Sequence, residues 1–386
     1  MQEAPTYTLS QIINYFFRLG YSGFGGPVAL VNYMHRDLVE KNKWISEEDY
    51  RDGLALAQLA PGPLAAQLSI YIGFIHYRIL GATLCGLAFV LPSFVMVVII
   101  GIAYKMYGGL SWMQAIFYGV GSAVVGIIIM SCYRLIEKSI GKINPAAIQK
   151  SWMLWIFFIL SATITVYTQK ENILICVVCG IAYALYKSSK EKVGVVRNGL
   201  FILNTGFWQF DPKDLEKIAL FFGKAGAFVF GSGLAIIPFL HSEVVNEMHW
   251  LSEAEFLDAV AVAMITPGPV VITVSFIGYL VAGFPGATVA ALATFLPCYL
   301  FTVIPAPYFK KYGRRPVIKN FVDGITASVI GMLAGAVAVI SLRAITDIPA
   351  LIIAVITILL LIRYKKLKEP VIILLAAIVG LILKSI

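Results

Sequence analysis

The stretch QLAPGPLAAQ (58–67) places Pro61-Gly62-Pro63 inside an apolar region, and MITPGPVVIT (264–273) does the same with Pro267-Gly268-Pro269. Proline lacks an N–H and fixes φ, and glycine adds backbone freedom, so each triplet interrupts a helix. Irregular backbone is tolerated at membrane depth only where protein or a water-filled cavity satisfies its polar groups. Two such breaks in one chain therefore predict a functional role for both.

The composition is that of a polytopic membrane protein. Of the 386 residues, 59% are hydrophobic and 13% are charged, and the mean hydropathy is +0.85. The apolar runs suit helices that cross a bilayer and lack the alternation of barrel strands, so we predict an all-α fold. These runs lie near residues 86–104, 113–133, 152–168, 172–186, 286–304, 321–342, 348–362 and 370–383.

The net charge of +9 indicates a membrane rather than a nucleic acid as the partner. The basic residues lie in short loops between apolar runs, where membrane orientation and anionic lipids account for them. All five cysteines fall in apolar segments, and Cys176-x-x-Cys179 lacks the second ligand pair of a zinc site. The sequence predicts no metal and no cofactor.

The chain contains two copies of one unit. A shift of 206 residues aligns Trp44 with Trp250 and superposes the two Pro-Gly-Pro triplets. Beyond the triplets, a shift of 205 aligns Leu91-Pro92 with Leu296-Pro297. We therefore predict an N-terminal repeat at 1–187, a cytoplasmic linker at 188–213 and a C-terminal repeat at 214–386.

Loop charges predict that the two repeats have opposite orientations in the membrane. The 35–51 segment carries four basic residues, and its counterpart 241–257 carries none. The difference between the two repeats is in the opposite direction further along the chain, where 104–113 holds one lysine and 309–319 holds five basic residues. Because Lys and Arg are enriched in cytoplasmic loops, equivalent loops face opposite sides of the membrane. This pattern is typical of an inverted-topology repeat.

For the loop charges to agree with this orientation, the chain must cross the membrane an even number of times around each triplet. We predict a broken-helix hairpin in each repeat, with arms near 47–60 and 64–80 in the first and 253–265 and 270–283 in the second. Capping patterns at Ser46-x-x-Asp49 and Ser252-x-x-Glu255 mark the start of each first arm. Re-entrant and fully spanning hairpins satisfy the charge pattern equally well.

Each second arm begins directly after its triplet, and this places helix N-termini at the breaks. Free backbone N–H groups at Leu64–Ala66 and Val270–Ile272 would attract an anion. Gln67 and Thr273 add polar side chains nearby. The alternative is a pair of structural kinks packed by neighbouring helices.

Two basic residues correspond across the repeats, Arg18 and Lys224, and each lies in an apolar opening segment. Intramembrane basic groups are candidates for anion binding, although snorkelling to an interface is the alternative. The neighbouring small residues either expose more N–H groups or allow close helix packing. They are Gly25, Gly26, Gly231 and Ser232.

The histidines His35 and His241 also correspond, at the ends of the first segments. They are candidates for proton coupling, with a surface role as the alternative. Asp52 and Asp258 correspond near the start of the first hairpin arms, where a carboxylate suits the positive helix end. Cation coupling is the second interpretation of these two carboxylates.

The ordered motif set resembles the signature of the chromate transporter (CHR) family, in particular its long two-domain members. The first-repeat motifs are Phe24-Gly25-Gly26-Pro27, Trp44, Ala60-Pro61-Gly62-Pro63, Gln67 and Tyr71-Ile72-Gly73, and the second repeat matches from Phe230 to Tyr279. The resemblance implies a multi-pass protein of the cell (inner) membrane that exports chromate and confers resistance. Arg18 stands where family members usually carry lysine.

The patterns favour a secondary transporter that holds an anion between the two Pro-Gly-Pro hairpins and works by alternating access, and the resemblance implies that this anion is chromate or the similar dianion sulfate. An anion channel of the same architecture is the main alternative. An integral-membrane enzyme is the weaker one, because no catalytic motif is present. Homodimer formation, transport direction and coupling ion are left open.

Overall fold

The computed structural model describes residues 6–24, 26–108, 110–169, 173–191, 214–228, 233, 236–312, 316–364 and 369–384. These residues form helices and connecting turns without any strand, which confirms the all-α class. The α-helices are α1 (Leu9–Ser22), α2 (Gly26–Met34), α3 (Glu47–Leu59), α4 (Leu64–Tyr107), α5 (Ser111–Ser139), α6 (Pro145–Lys150), α7 (Trp152–Thr168), α8 (Ile173–Glu191), α9 (Asp214–Phe228), α10 (Ile236–His241), α11 (Glu253–Ile265), α12 (Thr273–Val303), α13 (Ala306–Tyr312), α14 (Pro316–Ala344), α15 (Ile348–Arg363) and α16 (Glu369–Lys384).

The capping patterns start their helices as predicted. The Ser252 side chain accepts the Glu255 N–H while Glu255 caps the Ser252 N–H, which closes a full capping box ahead of α11. Ser46 accepts the Asp49 N–H ahead of α3 without the reciprocal bond. Each serine satisfies an N–H that would otherwise lack a partner in the first turn.

Helix α4 reverses direction within its length. Arg78 has φ 51° and ψ −140°, which is not helical. A Cβ placed on Gly73 would lie 2.6 Å from the carbonyl carbon of Gly81, whereas residues eight apart in a straight helix are separated by about 12 Å. Residues 64–77 and 79–107 therefore fold back on each other, and the absence of side chains at the two glycines permits the close contact.

Helix α12 reverses at the corresponding place. Ala282 and Gly283 are not helical, and a Cβ placed on Gly278 would lie 2.8 Å from the carbonyl carbon of Gly286. The parts that follow the reversals, 79–107 and 284–303, are about 44 and 30 Å long at 1.5 Å per residue. Both lengths are sufficient for a bilayer core of about 30 Å.

Within the described residues, four helical segments are long and apolar enough to cross a membrane: Leu64–Tyr107, Ser111–Ser139, Val270–Phe309 and Pro316–Ala344. Shorter apolar helices lie at Trp152–Thr168, Leu174–Lys187 and Ile348–Arg363. Large aliphatic side chains cover the outer faces, among them Leu87, Leu91, Val95, Ile99, Leu351, Val355 and Leu359. Such a surface suits lipid, and it supports assignment as a membrane protein.

Equivalent helices of the two halves interleave. Helices α5 and α14 differ by 205 residues at both ends, 111 against 316 and 139 against 344. Helix α5 packs on α15 and α16 from the C-terminal half, and α14 packs on α7 and α8 from the N-terminal half. Small residues bring the helix backbones together, as where Gly119 meets Gly380 and Gly331 meets Phe158.

The predicted linker lies mostly outside the described residues. Helix α8 runs to Glu191, four residues into the predicted 188–213 segment, and the description resumes with α9 at Asp214. The boundaries at 187 and 214 therefore stay predictions.

Candidate functional site

The first Pro-Gly-Pro triplet separates α3 from α4. Helix α3 ends at Leu59, and α4 begins at Leu64, directly after the prolines. Gly62 has φ 141°, a conformation that L side chains rarely adopt, which explains glycine between the prolines. The amide nitrogen Nε2 of Gln67 donates to the Pro61 carbonyl at 2.7 Å and closes the turn. A helix break thus occurs where the sequence predicts it.

The second triplet separates α11 from α12, with one difference. Gly268 has φ 101°, as its place between prolines requires. A short 3₁₀ turn, Val270–Ile272, precedes α12. Within it the Ile272 N–H donates to the Pro269 carbonyl at 3.0 Å. The predicted set of free N–H groups, Val270–Ile272, is therefore reduced to Val270 and Val271.

Backbone N–H groups after both triplets are buried without an acceptor among the described residues. In the first break these are the N–H groups of Leu64, Ala65 and Ala66, because the first bonded one belongs to Gln67. In the second break they are those of Val270 and Val271. All five residues are at most 6% exposed. Buried N–H groups are almost always paired, so these groups are candidates to bind an acceptor from outside the chain.

Helices from opposite halves support the two breaks. The Ser93 hydroxyl, on α4, donates to the Pro267 carbonyl at 2.7 Å. The Gly268 N–H donates to the Gly23 carbonyl, just after α1, at 3.0 Å. Cys298 lies at the position of α12 equivalent to Ser93, and its sulfur would lie 3.1 Å from a Cβ placed on Gly62. The fold thus holds each triplet against the half of the chain that does not contain it.

Polar side chains follow each break into the core. Gln67, Ser69, Thr273 and Ser275 are completely buried. Ser69 and Thr273 donate to backbone carbonyls of their own first turns. The Gln67 Oε1 and Ser275 Oγ atoms have no hydrogen-bond partner among the described residues. Unpartnered buried polar atoms close in sequence to the free N–H groups make this a polar cluster in an otherwise apolar core.

The predicted basic residues occupy other faces. Arg18 on α1 and Lys224 on α9 are exposed, whereas the buried faces of these helices pack Gly20 and Gly226 against α4 and α12. Among the other predicted residues, Gly26 has φ 73° and opens α2. Gly25, Gly231 and Ser232 lie outside the described residues.

The predicted histidines each bind a glutamate at the start of a hairpin arm. His35 Nε2 lies 2.8 Å from Glu47 Oε2 at an exposed position. This hydrogen bond holds the pKa of Glu47 below its usual value. His241 Nε2 lies 2.6 Å from Glu253 Oε2, and His241 is buried. Both histidines therefore fasten an arm to the preceding helix.

A large cavity opens beside the start of α11, which the sequence did not reveal. Its volume is about 890 Å³. The Tyr104 hydroxyl, at the end of α4, donates to Asp258 Oδ2 at 2.7 Å. At the rim, Arg343 bonds Glu253 at 3.0 Å. The polar lining includes Lys105, Gln114, Tyr118, Ser122, Ser252 and Glu255. The sequence signal was Asp258 itself, an acidic residue in an apolar run.

Comparisons with known proteins place the chain in one family. The family model described as "Chromate transporter" matches residues 10–185 and 216–381. The chain is 55% identical to a chromate transport protein of Cupriavidus metallidurans, over 99% of this chain and 95% of the relative. It is 53% identical to a probable chromate transport protein of Synechococcus elongatus, over 99% and 97%. An uncharacterized transporter of Methanocaldococcus jannaschii is 28% identical over 98% and 96%.

No solved structure matches the chain. The family match covers most of the sequence, and the two most similar of these relatives align over nearly the full length of both proteins. The chain therefore belongs to the chromate transporter family.

Proposed function

We propose that the protein is a secondary transporter of an inorganic oxyanion, chromate first and sulfate second, which binds the anion between the two Pro-Gly-Pro breaks. The observation that carries the proposal is the set of buried, unpartnered N–H groups at Leu64–Ala66 and Val270–Val271. Two helix starts that lack acceptors provide donors and positive dipole ends for a dianion.

The donor set explains the class of substrate. Backbone N–H groups recognise charge and size rather than the central atom, so tetrahedral dianions such as chromate and sulfate compete for the site. The names of the relatives that are 55% and 53% identical favour chromate. Arg18 and Lys224, exposed on α1 and α9, contribute attraction along the path rather than contacts at the breaks.

We further propose that the two halves are inverted repeats in the inner membrane and that the arms around each triplet form re-entrant hairpins. Helix α3 and residues 64–77 are each about 20 Å long, too short for a bilayer core of about 30 Å. Helices α3 and α11 differ by 206 at both ends, 47 against 253 and 59 against 265. The opposite loop charges support inversion.

This arrangement supports alternating access as the proposed mechanism. Each break is held by a helix of the other half, through Ser93 and through Cys298. Relative movement of the halves would therefore change the surroundings of both breaks together. Such movement exposes one central site to each side of the membrane in turn.

The test is flux of labelled chromate and labelled sulfate in liposomes that contain the purified protein. We expect saturable chromate flux, competition by sulfate, and counterflow of labelled against unlabelled anion. Replacing Pro61-Gly62-Pro63 by three alanines should abolish flux while the protein remains folded in the membrane. Replacing Ile148-Gln149-Lys150, three exposed residues of the short helix α6, by alanines is the control and should leave flux unchanged.

Each other outcome has a defined meaning. Flux that does not saturate and shows no counterflow would indicate the anion channel. Normal flux in the triplet variant would contradict the assignment of the site. Absence of flux for both anions would contradict the proposed substrate class.

A further inference from the structure

Asp258 is a buried carboxylate that the anion site does not use. It lies on α11 and is 6% exposed. Its helix neighbours Leu257 and Ala259 are buried apolar residues. Among the described residues, no Lys, Arg or His nitrogen lies within 4.0 Å of its carboxylate. A buried carboxylate without a cation is costly when ionised, so it is a candidate for proton binding.

The surroundings give this carboxylate both a fixed position and access to water. The Tyr104 hydroxyl donates to Oδ2 at 2.7 Å, and the side chain lines the 890 Å³ cavity. The segments 104–113 and 241–257, which are poor in basic residues, supply much of the lining, so the proposed inverted topology places the cavity on the side opposite the basic 35–51 loop. The titratable and charged groups that line the same cavity are Tyr104 and Lys105 from α4, Tyr118 from α5, Glu253 and Glu255 from α11, and Arg343 from α14.

Two of these charged groups are already engaged elsewhere. Glu253 pairs with His241 and Arg343, and Glu255 caps the start of α11. Helices α12 and α16 and the 3₁₀ turn also pack on α11, and in the described part of the chain they add no charged group to the cavity lining. Asp258 therefore differs from the other carboxylates of this cavity: its described hydrogen bond comes from a neutral hydroxyl alone.

Helix α11 links this carboxylate to the second break. Asp258 lies seven residues before the end of α11 at Ile265, which corresponds to about 10 Å along the helix axis. An ionised carboxylate on this helix repels a dianion bound at the break that follows it. Protonation of Asp258 and occupancy of the break therefore favour each other, and linkage makes the effect reciprocal.

We propose that Asp258 is the proton-binding site that couples protons to anion occupancy, reached through the cavity and positioned by Tyr104. This inference rests on the proposed function for its anion. The two halves differ here, because Phe309 stands at the position equivalent to Tyr104. Asp52, which the 206-residue shift aligns with Asp258, serves as the matched control because the position equivalent to Tyr104 is a phenylalanine.

The experiment measures proton uptake by the purified protein when chromate is added in weakly buffered detergent solution, with a pH-sensitive dye. Chromate affinity is measured in parallel on the acidic and alkaline sides of neutrality and is expressed per concentration of the dianion, because chromate itself takes up a proton just below neutrality. We expect uptake in the wild type and roughly tenfold tighter binding in acid, a size typical of coupling between sites. Asp258→Asn should abolish uptake and leave an affinity independent of pH. Asp52→Asn should behave as the wild type.

Tyr104→Phe provides a second test if Asp258→Asn fails to fold. Loss of the hydroxyl donor should move the pH midpoint of uptake to a more alkaline value, and an unchanged midpoint would overturn the proposal. Undiminished uptake in Asp258→Asn would also overturn it and would point to His241 instead. Chromate binding without proton uptake in the wild type would overturn the coupling while the proposed function stands.

Failure of chromate to bind would contradict the proposed function alone. In that case an infrared pH titration tests the proton site directly. A carboxylic acid band present in the wild type and absent from Asp258→Asn supports the proton site, and identical spectra overturn it.

Discussion

Arg78 adopts a backbone conformation that normally belongs to glycine. Its φ of 51° and ψ of −140° lie outside the regions open to L residues, and the equivalent Gly283 has φ 62° and ψ −154°. The conformation is needed because the chain reverses there. Strain at such positions costs of order 1–3 kcal/mol in non-glycine residues.

We predict that Arg78→Gly stabilises the protein by about 1 kcal/mol, because glycine adopts this conformation without a Cβ clash. Gly283→Ala should destabilise it by a similar amount, since no atom lies within 4 Å of the added Cβ and only the backbone is affected. Thermal unfolding in detergent measures both effects.

Arg78→Ala separates backbone strain from side-chain contacts. It keeps the Cβ but removes the guanidinium, whose carbon lies 5.7 Å from the Phe74 ring centre. Stabilisation by Arg78→Ala as large as by Arg78→Gly would contradict the strain explanation.

The central glycines of the two breaks permit a second prediction. Gly62→Ala and Gly268→Ala should each lower stability by about 1–3 kcal/mol and reduce anion flux, because both have positive φ and the added Cβ has close neighbours. Gly223→Ala is the control, since its Cβ would have nothing closer than 3.7 Å. Flux and unfolding temperature unchanged in both break variants would contradict the prediction.

The helix ends around the breaks depend on contacts from distant elements. Ser93 on α4 donates to Pro267, a residue 174 positions away that follows α11. We predict that Ser93→Ala lowers the free energy of unfolding by about 1–3 kcal/mol, because a buried carbonyl loses its side-chain donor. Chemical denaturation in detergent measures the loss, and flux should fall with it.

Ser341→Ala is the matched control for this prediction. The Ser341 hydroxyl donates to the Val337 carbonyl one turn earlier in the same helix, so its loss leaves no tertiary contact broken. If Ser93→Ala and Ser341→Ala lower the free energy of unfolding equally, the hydrogen bond between α4 and the second break adds no more stability than a bond within one helix.

The arrangement of the halves can be tested with a disulfide. Ser161 on α7 and Ser328 on α14 place their hydroxyl oxygens 2.7 Å apart in the buried interface between the halves. We predict that Ser161→Cys with Ser328→Cys forms a disulfide on mild oxidation, in a background with Cys179→Ala because Cys179 is close to Ser328. Mass spectrometry of linked peptides detects the bond.

Pairing Ser161→Cys with Ser341→Cys gives the control, because Ser341 lies thirteen residues further along α14, about 20 Å away. A disulfide in the control of equal yield, or none in the test pair, would contradict the interleaved packing of α7 on α14.

Local chemistry in the sequence was enough to predict the membrane class, the helical fold, the two breaks and the starts of α3 and α11. Pro61-Gly62-Pro63 ends a helix wherever it lies, and Ser252 caps the helix that follows it, because these effects act within one turn. Continuous apolar runs predicted the apolar helices for the same reason. The paired motifs at a fixed shift also led to the family.

Other features depend on groups far apart in the sequence, and they appear only in the tertiary structure. The sequence predicts that the second arm ends near residue 80, but it does not show that the chain turns back at Arg78, because the close contact of Gly73 with Gly81 makes that reversal possible. The bond from Ser93 to Pro267 and the cavity around Asp258 each join residues more than 150 positions apart. Sequence patterns report how a segment prefers to fold, whereas packing decides which segments meet and which polar groups are left without partners.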